Sequence, residues 1–524
     1  MDRTLTFRHK GDYLGGSFFQ ESAEGRLETV DPSTGVVLDR VPWRVAAVDL
    51  AVEQARRALP AWRATPFEER AAALARLRQI LEERRGRMAA MIGRELGKPV
   101  WEATLECAAA ERSIDLLLEQ GAEILQSAAH PTSFGSVQRL PLGVAAVVSP
   151  YPYPVYNPIQ MVLPCLLGGN TVVWNPSSRV PLVSQMVAMA LDSARFPAGV
   201  FAMVQGPRTP IGERLVRHDG VAFVTGAGSP EMADRVRGSV GNLRPVVIQT
   251  GGKGWAIVCA DADLDRAAYE VVSGAYLSAG QRCNATSRVL VDREVARAFL
   301  TRVVALMRGL KVGPPSDRES FCGPLVDGTA RRRYQNQLRN WGRARIEFPV
   351  EGGVGQLPPA LRRKGQCYVA PALALLESGE LPDEVTPPEE VEGPLLLARL
   401  VDDEDEAVRR YNQHPYGLSA AVFTASERRF NAIADALRAG AVNWNRGTIV
   451  ASARFPNVGL GRSGLGAESN AALLYSCTYA QSRLGTSGRF DPSHRVPGMQ
   501  WPSEMGIIDP SSIKTPPFRP GGEP

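Results

Sequence analysis

Apolar residues recur along this chain in two rhythms. Over residues 67–92, Leu74, Leu77, Ile80 and Leu81 fall on one face at helical spacing, which predicts a helix. Glu68 and Glu69 stand in its first turn, where the helix dipole favours acids. Helices are also expected over 49–59 and 102–124, the latter beyond Gly97-Lys98-Pro99, because proline cannot continue a helix interior. Residues 1–45 read as loops and short strands. Then the rhythm changes. Runs of β type occur at 137–140 and 144–149, around Pro141-Leu142-Gly143, and again at 171–174, 201–204, 221–224, 246–249 and 255–259. Helical runs such as 182–194 and 211–217 lie between them. This alternation implies βαβ units and a mostly parallel sheet. A second alternating block spans 263–451, with helices over 263–277, 294–310, 329–342, 404–412 and 427–439 and a strand over 287–291. Two α/β domains follow from the pattern.

Composition adds limits. The 524 residues can bury large cores, and length alone suggests about three domains. Sixty basic residues are scattered among 55 acidic ones, for a net charge of +5, so there is no electrostatic case for nucleic acid. No apolar run approaches the ~18 residues of a membrane span, and residues 1–10 lack the apolar core of a signal peptide. Seven dispersed cysteines without a C-x-x-C pair argue against a disulfide framework or structural zinc, and point to a reducing cytoplasm. Five dispersed histidines suggest neither a metal cluster nor a Ser-His-Asp triad. Residues 485–524 hold eight of the 40 prolines and little periodicity. They read as a flexible tail, or, given Trp501, Met505, Ile507, Ile508 and Phe518, as an arm wrapping a neighbouring subunit.

The candidate chemistry lies in Gly280-Gln281-Arg282-Cys283-Asn284-Ala285, between the predicted helix 263–277 and strand 287–291. A loop between regular elements can present a side chain to a cleft. Arg282 and the local amide N–H groups would favour a thiolate. Taken alone, Cys283 reads more readily as a core thiol. The block resembles the nucleophile loop, G-Q-x-C, of the NAD(P)-dependent aldehyde dehydrogenase superfamily. Further landmarks occur in the family's order: Leu96-Gly97-Lys98-Pro99, Gly169-Asn170-Thr171, Thr225-Gly226, Gly251-Gly252-Lys253, Gly323-Pro324-Leu325, Gly393-Pro394 and Asn443-Trp444-Asn445. The resemblance covers roughly residues 25–484.

The resemblance implies two Rossmann-type parallel-sheet domains and a small β-flap for oligomerisation. The expected division is 1–124 with 141–250 for NAD(P), 251–470 for catalysis, 125–140 with 471–484 for the flap, and 485–524 as a tail. It implies that Cys283 is the nucleophile and that its backbone N–H serves the oxyanion. Three positions depart from the family pattern. Pro152 of Pro150-Tyr151-Pro152-Tyr153-Pro154 stands where the family has an oxyanion Asn, and proline brings no donor; Asn157 lies near enough in sequence to be weighed as a replacement. Gln249 stands where the family has a general-base Glu, and an amide cannot take a proton. Glu468 matches a second glutamate of the proton relay. Asn175 stands where the family has a ribose-binding Lys; Ser177, Ser178 and Arg179 follow, without the acid that would repel a 2′-phosphate.

Other cofactor positions implied are Ser149, Pro150, Tyr151, Gly206, Gly212, Thr225, Gly226 and Glu390, with Thr225 and Gly226 expected to open the phosphate-facing helix. Either NAD or NADP is compatible. Tyr151, Tyr153, Tyr156 and Trp444 are candidates for the substrate tunnel, and Arg446, in a stretch similar to the N-succinylglutamate semialdehyde dehydrogenase branch, for a substrate carboxylate. The expected function is oxidation of a small-molecule aldehyde to an acid by a homodimer or homotetramer. Gln249 keeps open a CoA-acylating enzyme, and the three departures together keep open a weak or inactive member with an assembly role.

Overall fold

The computed structural model of the chain describes residues 7–20, 23–126, 128–129, 135–240, 244–343, 357–376, 393–466, 470–485 and 496–498. Glu390, Glu468 and nearly all of the tail lie outside these residues. The first large sheet has eight strands, in the order Ser17–Phe19, Asp12–Leu14, Phe201–Met203, Thr171–Asn175, Val144–Val148, Phe223–Ala227, Val246–Gln249 and Gly464–Leu465. Its five central strands run parallel, and the outer ones are antiparallel. Strands such as Val144-Ala145-Ala146-Val147-Val148 are apolar at every position because both faces are covered. Alternation divides them. Ala145, Val147, Val172, Trp174 and Phe201 enter one core, and Val144, Ala146, Val173 and Ala202 enter the other.

The second sheet is parallel throughout, in the order Ala372–Leu376, Leu395–Val401, Thr286–Asp292, Gly254–Val258, Ser419–Phe423 and Ala441–Trp444. The chain passes from the first sheet to the second through residues 250–253. Clustering of contacts divides the chain into two compact units, Met1–Gln126 with Gln138–Gln481, and Ser127–Val137 with Ser482–Pro524. In the smaller unit Ala128 and Ala129 pair antiparallel with Val137 and Ser136. No helix among the described residues is long and apolar enough to cross a membrane.

Three expectations change in detail. The helix placed at 49–59 runs Ala46–Ala64 through Pro60, because Ala47, Val48, Ala51, Val52, Ala55 and Trp62 bury one face and override the proline. The helix placed at 211–217 is a wide turn, Arg208–Gly212, that runs on as Glu213–Arg217, since Thr209 is extended. Thr225 and Gly226 do not open a helix. They sit in the strand Phe223–Ala227, paired with Val247 and Ile248, and the helix begins at Pro230.

Candidate active site

Asp263 caps the helix Leu264–Tyr276 by accepting from the Arg266 N–H at 3.1 Å. The chain then turns tightly through Ser278, Ala279 and Gly280, all left-handed, with φ of 55°, 51° and 70°. At Gly280 a Cβ would collide with the Gly393 carbonyl, so glycine is required there. Left-handed backbone costs a non-glycine residue about 1–2 kcal/mol, so surrounding contacts must hold Ser278 and Ala279. Glu102, from the helix Val100–Leu125, supplies them. Its carboxylate accepts from the Ser278 N–H at 3.2 Å, from the Ser278 hydroxyl, and from Arg282 at 2.6 Å. Gln281 donates to the Ser278 carbonyl at 3.1 Å and accepts from the Val326 N–H at 2.9 Å. The Cys283 and Ala285 carbonyls accept from the N–H groups of Lys253 and Gly254 at 2.9 and 2.8 Å, which ties the loop to the crossing between the sheets.

This architecture leaves one thiol reachable. Of the seven cysteines six are buried, and Cys283 is half-buried. Burial pushes the thiols of Cys107, Cys259 and Cys322 up to about 12, which makes them inert. Gln249 ends the strand Val246–Gln249, and its Oε1 lies 4.0 Å from Cys283 Sγ. Lys253, itself left-handed at φ 41°, donates from Nζ to the Gly280 carbonyl at 2.6 Å. The charge expected to act on the thiol is differently engaged: the guanidinium of Arg282 is matched by Glu102 and lies 5.3 Å from the Tyr153 ring.

The Pro150–Pro154 segment rests on a buried charge cluster that sequence reading did not anticipate. Lys98 Nζ donates to the Pro152 carbonyl at 2.8 Å and to Glu106 at 2.6 Å, and sits 3.9 Å from the Tyr153 ring centre. Glu106 accepts from the N–H groups of Val155 and Tyr156 at 2.9 and 3.3 Å, capping the helix Tyr156–Leu167. Burial works against ionisation of Glu102, but Arg282 and Lys98 hold its carboxyl below the ordinary value. Burial pushes the Tyr153 phenol upward, so it stays protonated. The available signal was the spacing of Glu102 and Glu106, two acids one turn apart on an apolar helix face, just after Lys98. Pro152 offers no donor. Asn157 stands in the first turn of the helix, and its N–H bonds the Tyr153 carbonyl at 3.0 Å. Trp444 stacks on Phe430 at 5.5 Å and donates to the Thr424 carbonyl, as a packing residue does.

The cofactor candidates gather at the carboxyl ends of the first sheet's strands, where open α/β sheets bind ligands. The Ser149 hydroxyl accepts from Trp174 at 2.9 Å, and its N–H meets the Asn175 carbonyl at 3.3 Å. Pro150 follows Ser149 directly, and Tyr151 lies 4.7 Å from the Arg179 guanidinium. Asn175 is buried and gives its amide N–H to the Val204 carbonyl at 2.9 Å. Ser177 accepts from the Arg179 N–H at 3.3 Å. A Cβ on Gly206, Gly212 or Gly226 would press on Ile211, Asn175 or the Val148 carbonyl, so these glycines keep the backbones close. Beside them a shallow open groove runs between the helices Glu213–Arg217 and Pro230–Val240, walled by Val148, Gly212, Val216, Met232 and Val236. A flat apolar slot suits a purine base. The residues present therefore fit a dinucleotide. No cluster able to hold a metal ion occurs among the described residues.

A groove at the strand ends of the first sheet, with one half-buried thiol in a loop feeding the second, is the arrangement of a nicotinamide-dependent oxidoreductase. The family model described as the aldehyde dehydrogenase family matches residues 19–482. The N-succinylglutamate 5-semialdehyde dehydrogenase of Caulobacter sp. (strain K31) is 32% identical over 468 residues, covering 86% of this chain and 92% of that protein. The NADP-dependent glyceraldehyde-3-phosphate dehydrogenase of Bacillus halodurans C-125, solved with NADP, superposes with a TM-score of 0.82 at 29% identity, over 91% of this chain and 99% of that one. PnpE in complex with nicotinamide adenine dinucleotide gives 0.86 at 27% identity, over 93% and 99%. The chain belongs to the aldehyde dehydrogenase family. It is an NAD(P)-dependent enzyme that oxidises aldehydes.

Proposed function

We propose that this oxidation proceeds through covalent catalysis by Cys283, with Gln249 placing the acyl acceptor. The observation that carries this reading is the 4.0 Å approach of Gln249 Oε1 to the one half-buried thiol. Cys283 Sγ attacks the aldehyde carbon, and the thiol proton passes to the carbonyl oxygen, giving a thiohemiacetal. Bound NAD(P) would supply the acceptor for the hydride that leaves this carbon. Loss of the hydroxyl proton to water leaves a thioester on Cys283. Gln249 can orient a water against the thioester but cannot take its proton, so release is slow unless a better nucleophile arrives. For this reason a thiol acceptor such as coenzyme A is the second reading: its sulfur would displace Cys283 and carry off the acyl group.

The first sheet serves the cofactor and the second carries the nucleophile. The substrate class is a semialdehyde bearing a carboxylate. Two things support it: the activity named for the Caulobacter relative, and Arg446, exposed just beyond the strand Ala441–Trp444. An Arg fork pairs with a carboxylate bidentately. The protein is a cytoplasmic homo-oligomer; Thr478–Leu484, at the edge of a three-stranded sheet with Tyr479 and Leu484 exposed, is the strand through which a partner copy would pair.

Rapid mixing with a panel of neutral and carboxylated aldehydes, with and without coenzyme A, tests the reading. A burst of reduced cofactor that disappears in Cys283→Ala is expected. A burst that survives in Cys283→Ala removes the nucleophile. Bound cofactor without a burst across the panel favours an assembly role instead.

A further inference from the structure

The slot between the helices Glu213–Arg217 and Pro230–Val240 carries more positive charge than a purine needs. Its apolar walls, Val216, Met232 and Val236, are rimmed by Arg208, Arg217 and Arg235. The Arg208 guanidinium stands at the mouth beside Gly228; a Cβ there would lie 3.3 Å from its Nη2. Gly228 comes just before the helix that starts at Pro230, so the guanidinium and the helix N-terminus address the same space.

Two carboxylates share the rim. Arg235 pairs with Glu213 at 3.6 Å and donates to the Glu231 carbonyl at 3.2 Å, and Glu213 also accepts from the Thr209 hydroxyl at 2.7 Å. Three guanidinium groups against Glu213 and Glu231 leave a surplus of positive charge. Although Arg208 is accessible, the surrounding protein, then the like charge of Arg235, hold its guanidinium below the ordinary value, with Arg179 adding to the effect and Glu231 and Glu213 relieving it.

The neighbouring strand end has the opposite deficit. Asn175 carries no charge, and one of its amide N–H groups donates to the Val204 carbonyl. Ser177 and Ser178 follow it, and neither would repel an anion. Arg179 is committed to Asp327 at 3.0 Å. A base seated in the slot would bring its ribose to the arginine rim, and the pyrophosphate would lead away from that ribose toward the nicotinamide end. The anion that can meet charges placed at the base slot itself is a phosphate on the ribose 2′ oxygen, and guanidinium forks suit phosphate.

We propose that this protein selects NADP over NAD, with Arg208 and Arg235 holding the 2′-phosphate. The assignment rests on the dehydrogenase reading of the same cleft. It is tested by calorimetric titration of the full chain with NADP, NAD and adenosine 2′,5′-bisphosphate, at low and high salt. NADP is expected to bind at least tenfold more tightly than NAD. Arg208→Ala should lose most of that preference and leave NAD within about threefold; Arg235→Ala should lose part of it. The bisphosphate should bind wild type with the same arginine and salt dependence. Equal affinities for the two dinucleotides overturn the proposal, as does an Arg208→Ala protein that weakens both alike; in either case the dehydrogenase reading stands. Failure of all three ligands to bind wild type overturns both.

Discussion

The Arg282 guanidinium donates to the Glu102 carboxylate at 2.6 Å, with both side chains nearly enclosed and the nucleophile candidate next in the chain. The same carboxylate accepts from the N–H and the hydroxyl of Ser278. One acid from a distant helix thus spans the left-handed turn that begins the Cys283 loop. Removing one partner of a buried pair costs about 3–5 kcal/mol, because the other charge is left uncompensated.

Glu102→Ala should therefore lower stability by an amount of that order in urea denaturation. It should also alter how Cys283 is presented, changing its alkylation rate by iodoacetamide at least threefold in protein that remains folded. Since the other six cysteines are buried, alkylation of native protein reports on Cys283. A destabilised variant with unchanged alkylation would confine Glu102 to helix packing.

Gln249→Glu supplies a proton acceptor 4.0 Å from the sulfur. A positioned general base is worth about 10²–10⁴ in rate. The hydride-transfer burst should be little altered, while the steady rate after it rises at least tenfold and any stimulation by coenzyme A shrinks. An unchanged steady rate would place the slow step elsewhere, such as cofactor release.

Much of this site was legible in the chain, and the limits have physical causes. The strand 246–249 is found at its expected residues because Val247 and Ile248 are buried in the cores on its two faces. The Cys283 loop was legible because Gly280 sits where a side chain would strike backbone. Glu102 was not, since its partners Ser278 and Arg282 lie 176 and 180 residues away. The shift of Thr225 and Gly226 from helix start to strand arises from pairing with two neighbouring strands, which no local propensity encodes. The arginine rim was hidden for the same reason: Arg208 and Arg235 meet only once two helices pack.

Pro152→Asn would restore a side-chain donor where the family pattern has one. The Pro152 carbonyl, held by Lys98 at 2.8 Å, already fixes the local backbone, so the substitution need not rebuild the loop. An oxyanion donor is worth about 10²–10³ in rate. The burst rate constant should rise by roughly tenfold or more over wild type, and Pro152→Ala should not reproduce the gain. An Asn variant no faster than the Ala variant would mean that position 152 does not face the oxyanion.

His414 offers a test of stability against pH. Its ring lies 5.0 Å from Trp255 and 5.3 Å from Tyr416, and its Nε2 is buried without a partner. Burial, with the nearby Arg288 charge second, lowers its pKa from 6.5 to about 3. The folded-state value is thus below the unfolded one, and between pH 6.5 and 3 the unfolded chain binds the extra proton. Stability must fall as pH drops through that window and level off above it; at pH 5 the loss from this group is about 2 kcal/mol. His414→Phe keeps a ring between Trp255 and Tyr416 and removes the titration. Its stability should lie within about 1.5 kcal/mol of wild type at pH 7.5, and relative to that difference it should gain about 2 kcal/mol by pH 5. Urea denaturation at the two pH values isolates the term, because other titrating groups such as His9 act alike in both proteins. Parallel losses in wild type and variant would show that His414 becomes protonated in the folded state.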